Sequence, residues 1–146
     1  MPHSDIDTVN ALYDAWNRRD ICGWVESFTP DATWTNLPTG EIHVGPQGMA
    51  ENYRHWDGPF PDGRCEKLAF GGGNGLIVAE FIAVGTHTRP MPAPDGTIDP
   101  TGRTLSVPFC DLHRVEAGRI TTTRRYVKGH EGVPVGGQVV SLCADS

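Results

Sequence analysis

Residues 104–127 read TLSVPFCDLHRVE, then the turn Ala117-Gly118, then RITTTRRYV, which predicts two strands joined as a hairpin. Apolar residues fall on alternate positions of the first strand, at Val107, Phe109 and Val115. Because side chains alternate between the two faces of a strand, Asp111 and His113 should share the buried face with them. Burial of a carboxylate costs free energy of folding unless the group has a partner or serves a function. The chemistry of this protein is therefore expected around Asp111.

Length and charge limit the possible functions. The 146 residues suit one domain, with a core over residues 1–128 and a tail over 129–146. The net charge of −6 argues against nucleic acid or an anionic membrane as the main partner. Neither a signal peptide nor an apolar run of the ~20 residues that span a bilayer is evident. Four widely spaced cysteines without a CxxC motif are typical of reduced thiols, so we expect a cytoplasmic protein.

In the rest of the chain, the apolar residues first follow the spacing of helices and later that of strands. Helices are expected over about 4–19, 20–28 and 46–56, with a short strand over 31–37 between the second and third. Two longer strands, 64–70 and 76–87, meet at Asn74-Gly75, a strong hairpin signal. Helices that precede a mainly antiparallel sheet indicate the α+β class.

Several short motifs, in this order, give the chain a resemblance to a known family. They are Asp31-Ala32-Thr33-Trp34, Gly45-Pro46, Phe60-Pro61-Asp62, Gly85-Thr86-His87, Pro100-Thr101-Gly102-Arg103 and the segment from Asp111 to Ile120. The set resembles the SnoaL-like polyketide cyclases of the nuclear transport factor 2-like and ketosteroid isomerase-like superfamily. That resemblance implies a cone-shaped, strongly bent, mainly antiparallel β-sheet packed on three N-terminal α-helices around an apolar pocket. It also implies a cofactor-free enzyme and a homodimer.

The carboxylates used by relatives are mostly missing here. The base of ketosteroid isomerases matches Asn36, which cannot remove a proton, whereas their acid donor matches Asp111. The water-activating set of limonene-epoxide-hydrolase-like proteins would fall on Phe81, Ala83 and Arg125, none of which fits. The SnoaL cyclases carry an Asp after an Arg in the last strand, where this chain has Arg124-Arg125. Any acid-base chemistry must therefore use another arrangement.

We predict a catalytic set of His87, Asp111 and Arg124, without a metal. A His oriented by a carboxylate suits general base catalysis near neutral pH. An inward Arg124 would stabilise a developing oxyanion. Aromatic and amide side chains would enclose a planar or polycyclic substrate, namely Trp34, Asn36, Tyr53, Trp56, Phe109 and Tyr126.

Structural interpretations of the same residues stay open. Asp111 could form a purely structural ion pair with Arg124, and His87 could be a satisfied histidine at a strand end. Arg125 is expected to point outward. A His87, His113 and Asp111 metal triad is conceivable. The proline-rich stretch over 88–102 would be either a lid beside His87 or an ordinary surface loop.

The sequence predicts a cofactor-independent enzyme that acts on a hydrophobic carbonyl-bearing metabolite through enol or enolate chemistry, as a polyketide-type cyclase or isomerase. A dehydratase is a further possibility. The alternatives from other classes are a non-catalytic small-molecule-binding domain and an association domain.

Overall fold

The computed structural model describes residues 4–93, 96–127, 133–135 and 138–140. Within these ranges the chain forms three helices, α1 (Asp5–Asn17), α2 (Ile21–Glu26) and α3 (Gly45–Asp57). Helix α1 is capped by Ser4, whose hydroxyl accepts a hydrogen bond from the Asp7 N–H. Proline near the first turn of α3 fits there because that position needs no N–H donor. All three predicted helices are thus present.

Six strands form one curved, open sheet in the order β2-β1-β8-β7-β4-β3. They are β1 (Phe28–Asn36), β2 (Glu41–Val44), β3 (Arg64–Gly73), β4 (Leu76–Thr86), β7 (Thr104–Glu116) and β8 (Arg119–Val127). The pairs are antiparallel except β1 with β8, which is parallel. Three helices packed against this mostly antiparallel sheet confirm the predicted α+β class.

The predicted hairpin turn at Asn74-Gly75 is present, and both residues have positive φ, 56° and 80°. Positive φ at both central residues is the geometry that favours Asn-Gly in tight hairpins. Strand β2, in contrast, has no counterpart in the sequence prediction. Its apolar residues Ile42 and Val44 face outward, and His43 faces inward, so the hydrophobic pattern is the reverse of an ordinary half-buried strand.

The excursion between β4 and β7 contains a small hairpin of β5 (Met91–Ala93) and β6 (Gly96–Ile98). Its Met91 side chain is buried. In the tail, β9 (Val133–Val135) pairs with β10 (Gln138–Val140). The other residues of the predicted tail lie outside the described residues.

The core lies between the helices and the concave side of the sheet. Helix α1 packs against β3, β4, β7 and β8 and contributes Val9, Leu12 and Tyr13 to the core. The aromatic residues Trp16, Trp24 and Phe28 join the same cluster, as helix–sheet packing predicts. Burial of apolar area of this kind is the main favourable term in folding. No helix in the described residues is long and apolar enough to cross a membrane.

Candidate functional site

An extra residue in β8 decides which arginine faces the core. In the pairing of β7 with β8, Arg114 lies opposite Thr122 and Val115 opposite Ile120, so Thr121 is unpaired between them. Such a β-bulge shifts the alternation of side chains by one residue. The predicted inward Arg124 is therefore wrong: Arg124 is exposed, and Arg125 is buried instead.

Arg125 and Asp111 form a two-point ion pair in the interior. Arg125 Nε donates to Asp111 Oδ1 and Nη2 donates to Oδ2, both at 2.8 Å. The guanidinium carbon lies 4.6 Å from the ring centroid of Trp34 and 4.7 Å from that of Phe109. These aromatic faces and the carboxylate hold the charge in place. Burial acts to lower the pKa of Arg125, but the Asp111 charge and hydrogen bonds outweigh it, so the pKa is raised.

A chain of hydrogen bonds extends this pair to helix α1. Tyr13 Oη lies 2.6 Å from Asp111 Oδ2 and 2.7 Å from His113 Nε2, and His113 Nδ1 lies 2.7 Å from Thr123 Oγ1. Because an ionised Asp111 can only accept, Tyr13 must donate to it. Tyr13 therefore accepts from His113 Nε2–H, and His113 Nδ1 accepts from the Thr123 hydroxyl. This tautomer is consistent with all three of these hydrogen bonds.

Burial sets the charge state of the two rings. Burial and the nearby Asp111 charge raise the pKa of Tyr13 well above its ordinary value, so the phenol stays protonated. Burial lowers the pKa of His113 from 6.5 to about 4, against the opposing effect of Asp111. At neutral pH the network therefore contains one ion pair, a neutral phenol and a neutral imidazole.

An apolar pocket opens in front of this network. Its volume is about 70 Å³, and Tyr13 and Arg125 lie among its lining residues while Asp111 does not. The walls are largely aromatic, from Trp16, Trp24, Tyr53, Trp56, Phe60, Phe81 and Phe109. A cavity of about 150 Å³ holds one benzene ring, so a ligand larger than a few atoms requires side chains of the wall or rim to move.

Helix α3 adds two polar groups to the pocket wall. Asn52 and Trp56 line the pocket, and neither the Asn52 amide atoms nor Trp56 Nε1 has a hydrogen-bond partner among the described residues. Asn52 is only 1% exposed. Buried polar atoms are almost always paired, so these groups need an explanation.

The structure does not bring His87 and Asp111 together. Asp111 lies opposite Ala79 in the pairing of β7 with β4, and His87 is eight residues further along the chain that forms β4. At about 3.3 Å per residue this places them up to roughly 26 Å apart, measured along the strand. His87 instead lies beside Phe60, with 5.6 Å between ring centroids, and its Nδ1 accepts a hydrogen bond from the Thr101 N–H.

The predicted substrate-binding residues divide into two groups. Tyr53, Trp56 and Phe109 line the pocket. Trp34 lies behind it under the Arg125 guanidinium, and its Nε1 donates to Asn36 Oδ1 at 3.0 Å. Tyr126 is 43% exposed on the opposite face of the sheet because the bulge reverses it together with Arg124.

Among the pocket residues that sequence reasoning missed are the hydrogen-bonding side chains of Tyr13, Asn52 and Arg125. Tyr13 has the helical spacing of a core residue, but a buried phenol usually needs a hydrogen-bond partner, and that requirement is the available signal. Asn52 has no sequence signal beyond its place on the third helix. Within the described residues no cluster of three or more His, Cys, Asp or Glu side chains could hold a metal ion.

Solved structures place this architecture in a known fold class. A proposed SnoaL-like polyketide cyclase from Jannaschia sp. CCS1 is 17% identical, with a TM-score of 0.74 over 84% of each chain. IdmH from Streptomyces antibioticus, a proposed polyketide cyclase, is 24% identical, with a TM-score of 0.72 over 86% of this chain and 92% of its own. A proposed polyketide cyclase from Xanthomonas campestris pv. campestris is 21% identical, with a TM-score of 0.72 over 84% of this chain and 88% of its own. Other solved structures with TM-scores of 0.68 are described as ketosteroid isomerase-like and NTF2-like, so the fold is the one these proteins share.

The family follows from the sequence itself. The profile of the SnoaL-like domain matches residues 9–123, which include most of α1, all of α3 and most of the sheet. The chain belongs to the SnoaL-like domain family. No curated protein sequence matches it.

Proposed function

We propose that this protein is a cofactor-independent enzyme that enolises a hydrophobic carbonyl compound, as a step of a polyketide-type cyclisation or isomerisation. One observation carries the proposal: Arg125 and Tyr13 stand at the pocket wall, and both are hydrogen-bonded to Asp111 behind it. A charged donor and a proton carrier that share one carboxylate provide the two functions that enolisation needs.

Arg125 is suited to stabilise the oxyanion. Its Nε and Nη2 are held by Asp111, and among the described residues nothing accepts a hydrogen bond from Nη1. Because Arg125 lines the pocket and Asp111 does not, the positive end of the ion pair faces the ligand. A donor fixed in apolar surroundings needs no reorganisation when charge develops on a carbonyl oxygen.

The same network offers a path for the proton. Tyr13 Oη accepts from His113 and donates to Asp111, which leaves one lone pair for an incoming proton. In the proposed step the substrate α-carbon gives its proton to Tyr13 Oη while Tyr13 passes its own proton to Asp111 Oδ2, in one concerted transfer. The C–H bonding pair becomes the enolate, whose oxygen pairs with Arg125, and the positive charge that had balanced Asp111 now balances the enolate. The reverse transfer at another carbon completes an isomerisation, whereas attack of the enolate on a second carbonyl forms a ring.

Membership of the SnoaL-like family supports a cyclase or isomerase type of activity. The names of the Jannaschia, Streptomyces and Xanthomonas proteins point in the same direction. His87 has no place in this mechanism because it lies far from the network.

A non-catalytic binding domain is the second candidate. The observation that favours it is the complete hydrogen bonding of Asp111, which accepts from Arg125 at two points and from Tyr13. A carboxylate whose oxygens are already occupied by three donors of the protein is typical of a structural ion pair. The two candidates agree that an oxygen of the ligand binds Arg125 and differ on whether a proton moves.

Both candidates require that Arg125 binds an oxygen of the ligand, and titration with a nitrophenol tests this. The ionisation of this enolate analogue is visible by absorbance. We compare the wild type with the double variant Asp111→Leu, Arg125→Met, which removes both charges, and with Arg124→Gln as the matched surface control. The proposal expects the wild type and Arg124→Gln to bind the phenolate form preferentially, and the double variant to lose at least tenfold in affinity. Equal binding by all three proteins, or binding of the neutral phenol alone, would contradict it.

A further inference from the structure

Helix α3 presents polar groups to the pocket that could bind a part of the substrate other than its carbonyl oxygen. Asn52 and Trp56 are four residues apart, so they lie on the same side of the helix, and both line the pocket that contains Arg125. Three buried polar atoms, the oxygen and nitrogen of the Asn52 amide and the Trp56 indole nitrogen, have no partner among the described residues.

Packing of the core does not explain why these polar atoms are buried. Asn52 is 1% exposed on a helix whose other buried residues include Met49 and Tyr53, so an apolar side chain would suit the position better. Asn17, in contrast, uses both ends of its amide, since Nδ2 donates to the Cys65 carbonyl and Oδ1 accepts from the Cys65 N–H. A buried amide that keeps its donor and its acceptor free toward a cavity is suited to bind a ligand.

We infer that Asn52 is a specificity-determining residue, which binds a second oxygen function of the substrate. This inference rests on the proposed function, because it assumes that Arg125 binds the first oxygen. The Asn52 amide can donate and accept at once, so it pairs with a hydroxyl, or with a hydroxyl and carbonyl on neighbouring atoms. The indole N–H of Trp56 adds a donor for the same edge of the ligand. The substrate class is therefore a ring or short chain with at least two oxygen functions, one for Arg125 and one for α3.

This assignment explains the polarity of the pocket. An apolar wall alone discriminates weakly between ligands that differ by one hydroxyl, whereas a site with unpaired buried polar groups rejects the ligand that cannot pair them. Asn52 would thus exclude simple aromatic and aliphatic ketones in favour of hydroxylated ones.

The test uses phenol and the three benzenediols, which place a second hydroxyl at every ring position. Calorimetric titrations compare the wild type with Asn52→Leu, which is close in volume but apolar. We expect at least one benzenediol to bind the wild type tenfold or more tightly than phenol. In Asn52→Leu this gain should disappear, while phenol affinity changes less than threefold. Asn52→Ala provides the same comparison if Asn52→Leu does not fold.

Thermal unfolding separates a binding role from a structural one. Removal of an unpaired amide should leave the Tm of Asn52→Leu unchanged or raise it by about 2–4 °C. Asn17→Leu, which breaks two hydrogen bonds, should lower it. A lower Tm for Asn52→Leu, or a benzenediol preference that survives the substitution, would overturn the inference. If the wild type binds phenol without any preference, the inference fails and the proposed function stands; if it binds neither phenol nor the benzenediols, both fail.

Discussion

Asp111 on β7 lies directly opposite Arg125 on β8, and the two side chains form a two-point ion pair with both distances at 2.8 Å. Asp111 is fully buried and Arg125 is 6% exposed. Because both charges are removed from water, each is tolerable only in the presence of the other. This mutual dependence connects the stability of the fold to the chemistry of the pocket.

The first prediction concerns the removal of one charge or of both. Arg125→Met leaves Asp111 buried without a counter-charge and should lower the free energy of unfolding by about 3–5 kcal/mol. The double variant Asp111→Leu, Arg125→Met replaces the pair by apolar side chains and should recover most of that loss. Urea denaturation of the wild type, both single variants and the double variant measures the coupling. Additive single effects would show that the two residues do not depend on each other.

Arg124, the arginine that the sequence pattern placed inside, provides the second prediction. Its side chain is exposed, so Arg124→Gln should change the free energy of unfolding by less than about 0.5 kcal/mol. The measurement compares the urea midpoint of unfolding of Arg124→Gln with that of Arg125→Gln. A large loss in Arg124→Gln with little effect in Arg125→Gln would mean that the β-bulge at Thr121 is misplaced.

His113 should make the stability of the fold depend on pH in a defined range. Its folded-state pKa is about 4, compared with 6.5 for a free histidine, so the unfolded chain binds a proton more readily between these values. Stability should therefore fall as the pH drops from about 6.5 to about 4 and level off below that range. The contribution between about pH 7 and about pH 5 is on the order of 2 kcal/mol.

The control for this prediction is His113→Gln, which keeps an amide donor for Tyr13 but does not titrate. The difference in unfolding free energy between the two proteins isolates the contribution of His113 from those of the carboxylates and of His55. Burial also lowers the pKa of His55, so some pH dependence should persist in the variant. Parallel curves for the two proteins would refute the buried neutral imidazole.

Thiol reactivity is the subject of the fourth prediction. Cys22 is exposed, whereas burial raises the pKa of Cys65 to about 12 and also raises that of Cys110. Because the thiolate is the reactive form, Cys22 should react with a disulfide reagent first and Cys65 most slowly. The assay uses a Cys143→Ser background, since Cys143 lies outside the described residues, and Cys22→Ser should remove the fast phase. Rapid reaction of Cys65 in the native protein would contradict the described packing.

The sequence predicted the fold well because strong local signals agree with one another. The helical spacing of Val9, Leu12 and Tyr13, the Asn74-Gly75 turn and the alternation in Thr104–Glu116 all persist in the structure. The prediction that Asp111 lies on the buried face is also correct. No irregularity interrupts β7 from Val107 through Phe109 to Asp111, so the alternation of faces holds over this span.

The site was less predictable for two physical reasons. A single unpaired residue, Thr121, reverses the faces of the strand beyond it, and nothing in Arg119–Val127 marks that position. Tyr13 has the spacing of a core aromatic, so only its tertiary contacts with Asp111 and His113 reveal its polar role. The distance between His87 and Asp111 could not be predicted because it depends on the registration of β4 with β7.

Exchange of α-hydrogens with solvent is the most direct test of enolisation, and it does not require the natural substrate. A ketone such as 2-indanone is incubated in D₂O with the wild type, with Tyr13→Phe and with Arg124→Gln, and deuterium incorporation is followed by NMR. The account predicts that the wild type and Arg124→Gln accelerate exchange and that Tyr13→Phe, which retains the ring but not the hydroxyl, loses tenfold or more of the acceleration. If a ketone that binds shows no acceleration, or if Tyr13→Phe is as active as the wild type, the Tyr13–Asp111 proton path is contradicted and the binding-domain candidate takes its place.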